Sequence, residues 1–160
     1  MIRLSKLADY AVVVMAAMGR DHEKTYSATD LARETGVPAP TVAKLLGALA
    51  RADLLSSRRG VGGGFQLARA TNEISVADMI EAIDGPIAVT ACIDHAPGDC
   101  SLETICGMRP HWQMINAAIS DALKQISLAD LASKTLAAFW DGVAASSESE
   151  WQMERQEQAT

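Results

Sequence analysis

The sequence contains few aromatic residues. Tryptophan, tyrosine and phenylalanine make up 4% of the 160 residues, whereas hydrophobic residues as a whole make up 49%. Alanine is plentiful, and alanine prefers helices while aromatic residues are enriched in strands. The composition therefore supplies a core for a mainly α-helical protein, and the length suggests a single domain with an appended helix.

A long hydrophobic run is also missing. The apolar stretch near the N-terminus is far shorter than the ~20 residues that span a bilayer. Asp9 interrupts its edge, and charged residues rather than a small-residue cleavage site follow Met18. Apolar residues between Leu4 and Met18 instead follow a helical stripe. We expect a cytoplasmic protein without a membrane partner.

Cysteine is scarce, and its placement is informative. The chain has three cysteines, Cys92, Cys100 and Cys106, within fifteen residues of a polar, glycine- and proline-containing stretch. An odd number of thiols cannot pair completely, and clustered cytoplasmic thiols more often bind metal or perform redox chemistry than form structural disulfides. Thiolates suit an iron–sulfur cluster. Zinc sites usually have a closer cysteine pair, but a zinc site completed by His111 stays an alternative.

Sequence motifs of enzymes are absent. The stretch GVGGG is followed by neither Gly-Lys-Ser/Thr nor a helical pattern, which excludes a P-loop. Neither a Ser-His-Asp or Cys-His grouping nor a Rossmann fingerprint occurs. A redox carrier is disfavoured because three cysteines are one short of the usual four. We expect a protein that is not an enzyme.

Negative charge dominates overall but not in the N-terminal half. The formal net charge is −6, yet residues 1–70 carry ten Lys/Arg against six Asp/Glu, and residues 71–160 carry four against fourteen. Such asymmetry indicates one face for a polyanion and another region with a different role.

Two short helices joined by a tight turn are predicted within the basic half. Ser27 and Asp30 form a capping box and Gly36 ends the first helix. After VPAP, a second helix from about Thr41 carries an apolar stripe, and a glycine-rich hairpin follows it. This order predicts a winged helix-turn-helix that contacts double-stranded DNA. The candidate DNA-binding residues are Thr41, Lys44, Arg58, Arg59, Gly60, Gly62 and Gly63.

The acidic half predicts further helices. Ser75 with Asp78 caps one helix, and Pro110 opens a long helix with an apolar stripe between Trp112 and Ile126. We expect this long C-terminal helix to pack against its twin in a homodimer, since helix-turn-helix proteins read two half-sites. The predicted regions are a winged helix-turn-helix (1–85), a cysteine-rich loop (86–109), a dimerisation helix with a following helix (110–143) and a polar, disordered tail (144–160).

Together these stretches resemble the IscR, NsrR and RirA type of iron–sulfur transcriptional regulators. The resemblance covers about residues 1–133 and is carried by MIRLSKLADYAV, LLSSRRGVGGGFQLAR, ISVADMIEAIDG, the three-cysteine loop and SLADL. It implies a dimeric winged-helix repressor or activator, of which we expect a repressor, whose cysteines bind an iron–sulfur cluster. Such proteins sense iron, cluster status, oxygen or nitric oxide, and this pattern looks most like regulators of cluster-assembly genes.

The resemblance also bears on a fourth cluster ligand. IscR-like members use a histidine three residues after the last cysteine, where this chain has Arg109, with His111 two residues further on. NsrR-like members use an aspartate of the first helix, with which Asp9 aligns. Asp9 is therefore the candidate fourth ligand and His111 the alternative. A carboxylate favours a 4Fe–4S cluster, and a histidine would favour 2Fe–2S.

Overall fold

Helices dominate the fold. The computed structural model describes residues 4–60, 62–90, 93 and 106–133. Within these ranges the chain forms six α-helices, one two-stranded antiparallel sheet and a short 3-10 turn at Thr71–Glu73. The elements are α1 (Lys6–Gly19), α2 (Ala28–Thr35), α3 (Ala39–Arg51), β1 (Leu55–Arg58), β2 (Gly64–Leu67), α4 (Val76–Asp84), α5 (Arg109–Lys124) and α6 (Leu128–Ala132).

Local signals explain most of the helix boundaries. The predicted capping boxes at Ser27 and Ser75 are both present, and Gly36 ends α2 in the left-handed conformation with φ of 75°. The helix expected from Thr41 begins two residues earlier, at Ala39. Pro38 is its N-cap and Pro40 lies in its first turn, where the missing N–H of proline costs no hydrogen bond.

The core forms around α1. One side of α1 packs against α4 and α6, and α1 also contacts α2 and α3. The stripe expected on α3 is fully buried, so its apolar face belongs to the core. The largest buried side chains are Met15, Met18, Leu31, Leu45, Leu46, Leu49, Leu54, Ile74, Met79 and Leu128.

The start of α6 is joined to the start of α4. The backbone N–H of Leu128 donates to the carbonyl of Ile74 at 2.7 Å, and that of Val76 donates to the carbonyl of Ile126 at 2.9 Å. Ser127 accepts a hydrogen bond from the backbone of Asp130 and caps α6. This pairing holds the end of α5 close to the winged head.

The mainly α-helical winged helix-turn-helix expected from the sequence is confirmed. Among the described residues α5 has 16 residues, and a role for it as a long dimerisation helix stays a prediction. The predicted polar tail at 144–160 lies outside the described residues. Among the described residues, none of the helices is both long and apolar enough to cross a membrane.

Candidate nucleic-acid interface and cysteine site

The solvent-facing side of α3 is identified from the side chains on its opposite side, which are buried in the core. Val42 and Leu45 point into the core, which turns Lys44 and Ala43 towards solvent. Thr41 is half-buried at the edge of this face. The N-terminal turn of α3 is exposed, so the two predicted DNA-contact residues of this helix lie on or beside an accessible surface. The N-terminal part of a recognition helix is the part that contacts base edges in helix-turn-helix proteins.

The wing is a tight hairpin whose tip is built from glycine. Leu55 pairs with Leu67, and Arg58 pairs with Gly64 at the end of the ladder. Gly60 and Gly62 adopt φ of 103° and 79°, which L side chains rarely tolerate. A Cβ on Gly63 would collide with the carbonyl oxygen of Arg58. The sequence therefore allows a closely folded tip that displays Arg58 and Arg59, both exposed.

A segment between α1 and α2 supports the base of the wing, which the sequence alone did not indicate. Tyr26 and Phe65 exchange two backbone hydrogen bonds of 2.8 and 2.9 Å, so Tyr26 acts as a third short strand. The Gln66 amide also donates to the carbonyl of Glu23 at 2.8 Å. Tyr26 is buried. The sequence feature that could have indicated this contact is a lone tyrosine between polar residues.

Charges around Tyr26 differ from those on α3 and the wing. Burial raises the pKa of the Tyr26 phenol, and the carboxylates of Glu34 and Asp21 raise it further. The Lys24 ammonium lies over the Tyr26 ring at 4.6 Å from its centroid. This cluster is a mixture of both signs rather than a basic patch.

The basic residues of α3 and the wing are not neutralised locally. The ion pairs observed on this head join Arg20 to Glu34 at 3.4 Å and Arg33 to Asp30 at 2.8 Å. In the part of the chain that the structure describes, no ion pair involves Lys44, Arg58 or Arg59. Their charge is therefore available to a polyanion.

The structure places only part of the predicted cluster site. Cys106 is half-buried, three residues before α5 begins, and His111 is exposed in the first turn of α5. Cys92 and Cys100 lie outside the described residues. Asp9 is exposed in the first turn of α1, and the Lys6 ammonium lies 5.5 Å from the centroid of the Tyr10 ring. No ion pair occupies Asp9 among the residues described.

No complete metal centre is formed by the described residues alone. Across 4–60, 62–90, 93 and 106–133, no three His, Cys, Asp or Glu side chains come together in a metal-binding arrangement. The donor set of the chain nevertheless suits iron, because Cys106 offers a half-buried thiol and two further thiols lie within fourteen residues before it.

The chain that leads into the cysteine-rich stretch is attached to the start of α1 and to α5. The Ser5 hydroxyl at the start of α1 donates to a carboxylate oxygen of Asp84 at 2.7 Å. Further on, Asn116 of α5 accepts from the backbone N–H of Val89 at 3.0 Å and donates to the carbonyl of Ile87 at 2.8 Å. Residues 84–89 are thus fixed at both ends. Neither attachment could be predicted from sequence patterns.

A small cavity lies beside this attachment. Its volume is about 260 Å³, and it is lined by Ile93 and by the α5 residues Gln113, Asn116, Ala117, Ser120, Asp121 and Lys124. Asp121 and Lys124 approach each other at 3.8 Å at its rim.

Comparison with known proteins identifies the family. The Rrf2 family model, described as an iron-dependent transcriptional regulator, matches residues 4–134. A predicted HTH-type transcriptional regulator of Mycobacterium tuberculosis (strain ATCC 25618 / H37Rv) is 34% identical over 137 residues, which are 84% of each chain. The HTH-type transcriptional regulator IscR of Vibrio cholerae is 29% identical over 131 residues, covering 81% of this chain and 75% of that protein.

Solved structures agree with this family. The global cysteine regulator CymR of B. subtilis superposes with a TM-score of 0.64 at 26% identity, covering 82% of this chain and 97% of that one. IscR of T. potens superposes with a TM-score of 0.61 at 27% identity, covering 81% and 85%. The relatives are transcriptional regulators and not enzymes. Their shared winged head matches the geometry of α3 and the wing, and the chain belongs to the Rrf2 family of winged-helix transcriptional regulators.

Proposed function

We propose that the protein is an iron–sulfur-cluster-binding repressor that controls genes for cluster assembly. The observation that carries the proposal is the spacing of its thiols: three cysteines occur within fifteen residues of the sequence, and the last of them, Cys106, precedes α5 by three residues. The iron-dependent description of the family and the IscR relatives support it. In this proposal the state of the cluster reports iron, cluster demand, oxygen or nitric oxide.

Cys92, Cys100 and Cys106 would hold the cluster, with Asp9 as fourth ligand and His111 as the alternative. A cluster held by three thiolates and one weaker ligand is labile, and a sensor needs a cluster that can be lost or altered. Asp9 suits this role because its carboxylate is exposed in the first turn of α1 and not occupied by the neighbouring Lys6. His111 suits it because it is exposed five residues after Cys106. We favour a 4Fe–4S cluster over 2Fe–2S on the strength of Asp9.

The winged head would bind double-stranded DNA. In this arrangement Thr41 and Lys44 meet the major groove, and Arg58, Arg59 and the glycine tip meet the adjacent backbone or minor groove. The uncompensated charge of Lys44, Arg58 and Arg59 supports these contacts. Gly60, Gly62 and Gly63 contribute by allowing the tip to approach phosphates closely.

A homodimer would present two such heads. Several apolar side chains of α5 are exposed in the single chain, including Met114 at 66% and Ile115 at 38%. Pairing of two α5 helices would remove this apolar surface from water. Cys106 lies three residues before α5. A change at the cysteines can therefore alter the relative orientation of the two heads in the dimer.

The decisive experiment is anaerobic purification with analysis of iron and sulfide and a visible absorption spectrum. Visible absorption with matching iron and sulfide is expected, together with DNA affinity that differs between the protein with and without its cluster. A colourless protein with stoichiometric zinc would replace the proposal with a zinc-binding winged-helix repressor. Asp9→Ala and His111→Ala then identify the fourth ligand, since loss of the true ligand changes the spectrum and speeds cluster decay.

The DNA contacts are tested separately by salt dependence. If Arg59 neutralises one phosphate, Arg59→Ala lowers the slope of log affinity against log salt by about one. Arg69→Ala is a matched control, because Arg69 is equally exposed but lies beyond β2, away from the tip. An unchanged slope for both Arg58→Ala and Arg59→Ala would contradict the wing contact.

A further inference from the structure

The solvent-facing surface of α3 has little hydrogen-bonding capacity. In its first two turns the exposed side chains are those of Ala39, Pro40, Ala43 and Lys44. Thr41 is half-buried, and the remaining positions, Val42 and Leu45, are buried. Three of the four exposed side chains are therefore small and apolar, and the fourth ends in a single ammonium group.

This composition restricts how α3 can distinguish base pairs. Two-point hydrogen bonding to a base edge uses Arg or Lys for guanine and Asn or Gln for adenine, while Asp or Glu accepts from cytosine. Of these, the exposed first two turns of α3 have only Lys44. The remaining major-groove feature is the C5-methyl group of thymine, which Ala and other apolar side chains contact.

We propose that α3 selects its DNA site chiefly by apolar contact of Ala39, Pro40 and Ala43 with thymine methyl groups in the major groove. The inference rests on the proposed insertion of α3 into that groove. Lys44 and the wing arginines supply attraction to phosphate, and hydrogen-bonded base contacts from the first two turns of α3 are limited to Lys44 and the half-buried Thr41. The preferred half-site therefore carries thymines where α3 docks, on either strand.

The geometry supports close approach. Alanine and proline do not extend beyond their Cβ or ring atoms, so no long side chain holds the helix backbone away from the base edges. The N-terminal turn, where Ala39 and Pro40 lie, is the part of a recognition helix that enters the groove most deeply in related motifs. Burial of one methyl group in such a contact changes affinity by about four-fold.

The test begins with selection of preferred sites from random double-stranded DNA by the full-length, anaerobically purified protein. Each selected thymine is then replaced in three ways. Uracil paired with adenine removes only the methyl group, cytosine paired with guanine removes the methyl and changes the hydrogen-bonding pattern, and 5-methylcytosine paired with guanine restores the methyl alone.

The expected result is that uracil weakens binding about four-fold at one or more half-site positions, and that 5-methylcytosine recovers most of what cytosine loses there. Equal affinity for thymine and uracil at every position would overturn the inference while leaving DNA binding intact. Failure to select any site would instead contradict the proposed DNA contacts themselves, and with them the inference.

A variant locates the effect on α3. Ala43→Gln replaces an exposed methyl with an amide that can pair with adenine, so the thymine-to-uracil difference should disappear at the position facing residue 43. Ala52→Gln is the matched control, because Ala52 is the exposed C-cap residue that follows the other end of α3. If the Ala43→Gln protein still binds thymine more tightly than uracil at every position where the unsubstituted protein does, the role given to Ala43 is wrong.

Discussion

Each of three helices begins with a serine that is followed three residues later by an aspartate. In the pair Ser27 and Asp30, the serine hydroxyl donates to the carboxylate at 2.6 Å and the serine N–H donates to it at 3.3 Å. The Asp30 N–H in turn donates to the hydroxyl at 3.1 Å. The same reciprocal arrangement recurs at Ser75 and at Ser127. It satisfies N–H groups that a helix leaves without partners in its first turn.

These hydrogen bonds predict a change in acid titration at one residue. They hold the pKa of the Asp30 carboxyl below its ordinary value, with the Ser27 hydroxyl as the largest cause. A carboxyl with a lowered pKa in the folded state adds stability above its ordinary pKa and loses it as pH falls through the folded pKa. In Ser27→Ala we expect the pKa of Asp30 to rise, and the acid-dependent loss of stability to shrink.

Carboxyl-carbon NMR titration measures this shift. The pKa of Asp130, which is lowered by its own serine, Ser127, should not change in the Ser27→Ala protein and serves as the internal control. An Asp30 pKa that stays low in Ser27→Ala would show that the hydroxyl is not its main cause.

Gly63 and Gly64 are both crowded positions of the wing, and the one at the tip is Gly63. The Gly63 N–H donates to the carbonyl of Gly60 at 2.9 Å, and a Cβ at Gly63 would collide with the carbonyl oxygen of Arg58. We expect Gly63→Ala to reshape the tip and weaken DNA binding by roughly ten-fold, the equivalent of one lost contact to phosphate or base. Thermal unfolding should change little, because the tip is exposed and contributes no core residue.

Gly47→Ala is the matched control for this substitution. A Cβ at Gly47 lies no closer than 3.6 Å to the Arg51 guanidinium, so it fits without strain. In a helix interior the change stabilises the fold by about 1 kcal/mol. Equal DNA affinity of Gly63→Ala and the unsubstituted protein, measured by fluorescence anisotropy, would contradict a structural role for the tip.

Elements far apart in the chain meet at the entrance to the cysteine loop. The side-chain amide of Asn116 in α5 hydrogen-bonds residues 87–89 as a neighbouring strand would. It accepts from one backbone N–H and donates to one carbonyl of that segment. The attachment at Val89 therefore joins the backbone before the cysteine-rich stretch to α5.

Removal of the Asn116 amide is expected to free this segment. In Asn116→Leu the Val89 N–H and the Ile87 carbonyl lose their partners, which costs about 1–3 kcal/mol if they remain shielded from water. The expected observations are faster hydrogen exchange of the Val89 amide and a lower free energy of unfolding in urea. Gln113→Leu, on the same helix and beside the same cavity, should leave Val89 exchange unchanged. Unaltered exchange in Asn116→Leu would refute the attachment.

The whole molecule divides into a basic head and an acidic remainder. The head contains α1 to β2 and carries the positive excess of residues 1–70, whereas α5 exposes apolar side chains. A surface of this kind favours burial against a second copy. The two halves therefore suit two partners, DNA for the head and an identical chain for α5.

Charge introduced on the exposed face of α5 tests the homodimer without disturbing the core. Met114 and Ile115 are 66% and 38% exposed in the single chain, so Met114→Glu and Ile115→Glu should fold normally but sediment as monomers. DNA affinity should fall with dimer loss, because two half-sites are then no longer bound together. Gln113→Glu adds the same charge to an exposed position facing the cavity instead, and should remain dimeric. A monomeric unsubstituted protein at micromolar concentration would contradict the proposal.

Local sequence determined the helices, their caps and the wing. Serine–aspartate spacing, proline before α3, glycine after α2 and the apolar stripes act within a few residues, so each could be predicted before any tertiary contact was known. The same reasoning identified Lys44, Arg58 and Arg59, which the structure shows to be exposed on the winged head, and Cys106, which it places just before α5. Their binding roles stay predictions.

Tertiary structure decided how these pieces are joined. The strand-like pairing of Tyr26 with Phe65 and the hydrogen bond between Ser5 and Asp84 connect residues that are 39 and 79 positions apart. Asn116 reaches back 27 positions to Val89. Such contacts depend on how helices pack in three dimensions, and neither periodicity nor capping chemistry encodes a partner so distant. The sequence alone therefore determined which elements form and which side chains carry charge or thiols, whereas only packing decided that α1 and α5 hold the entrance to the cysteine loop.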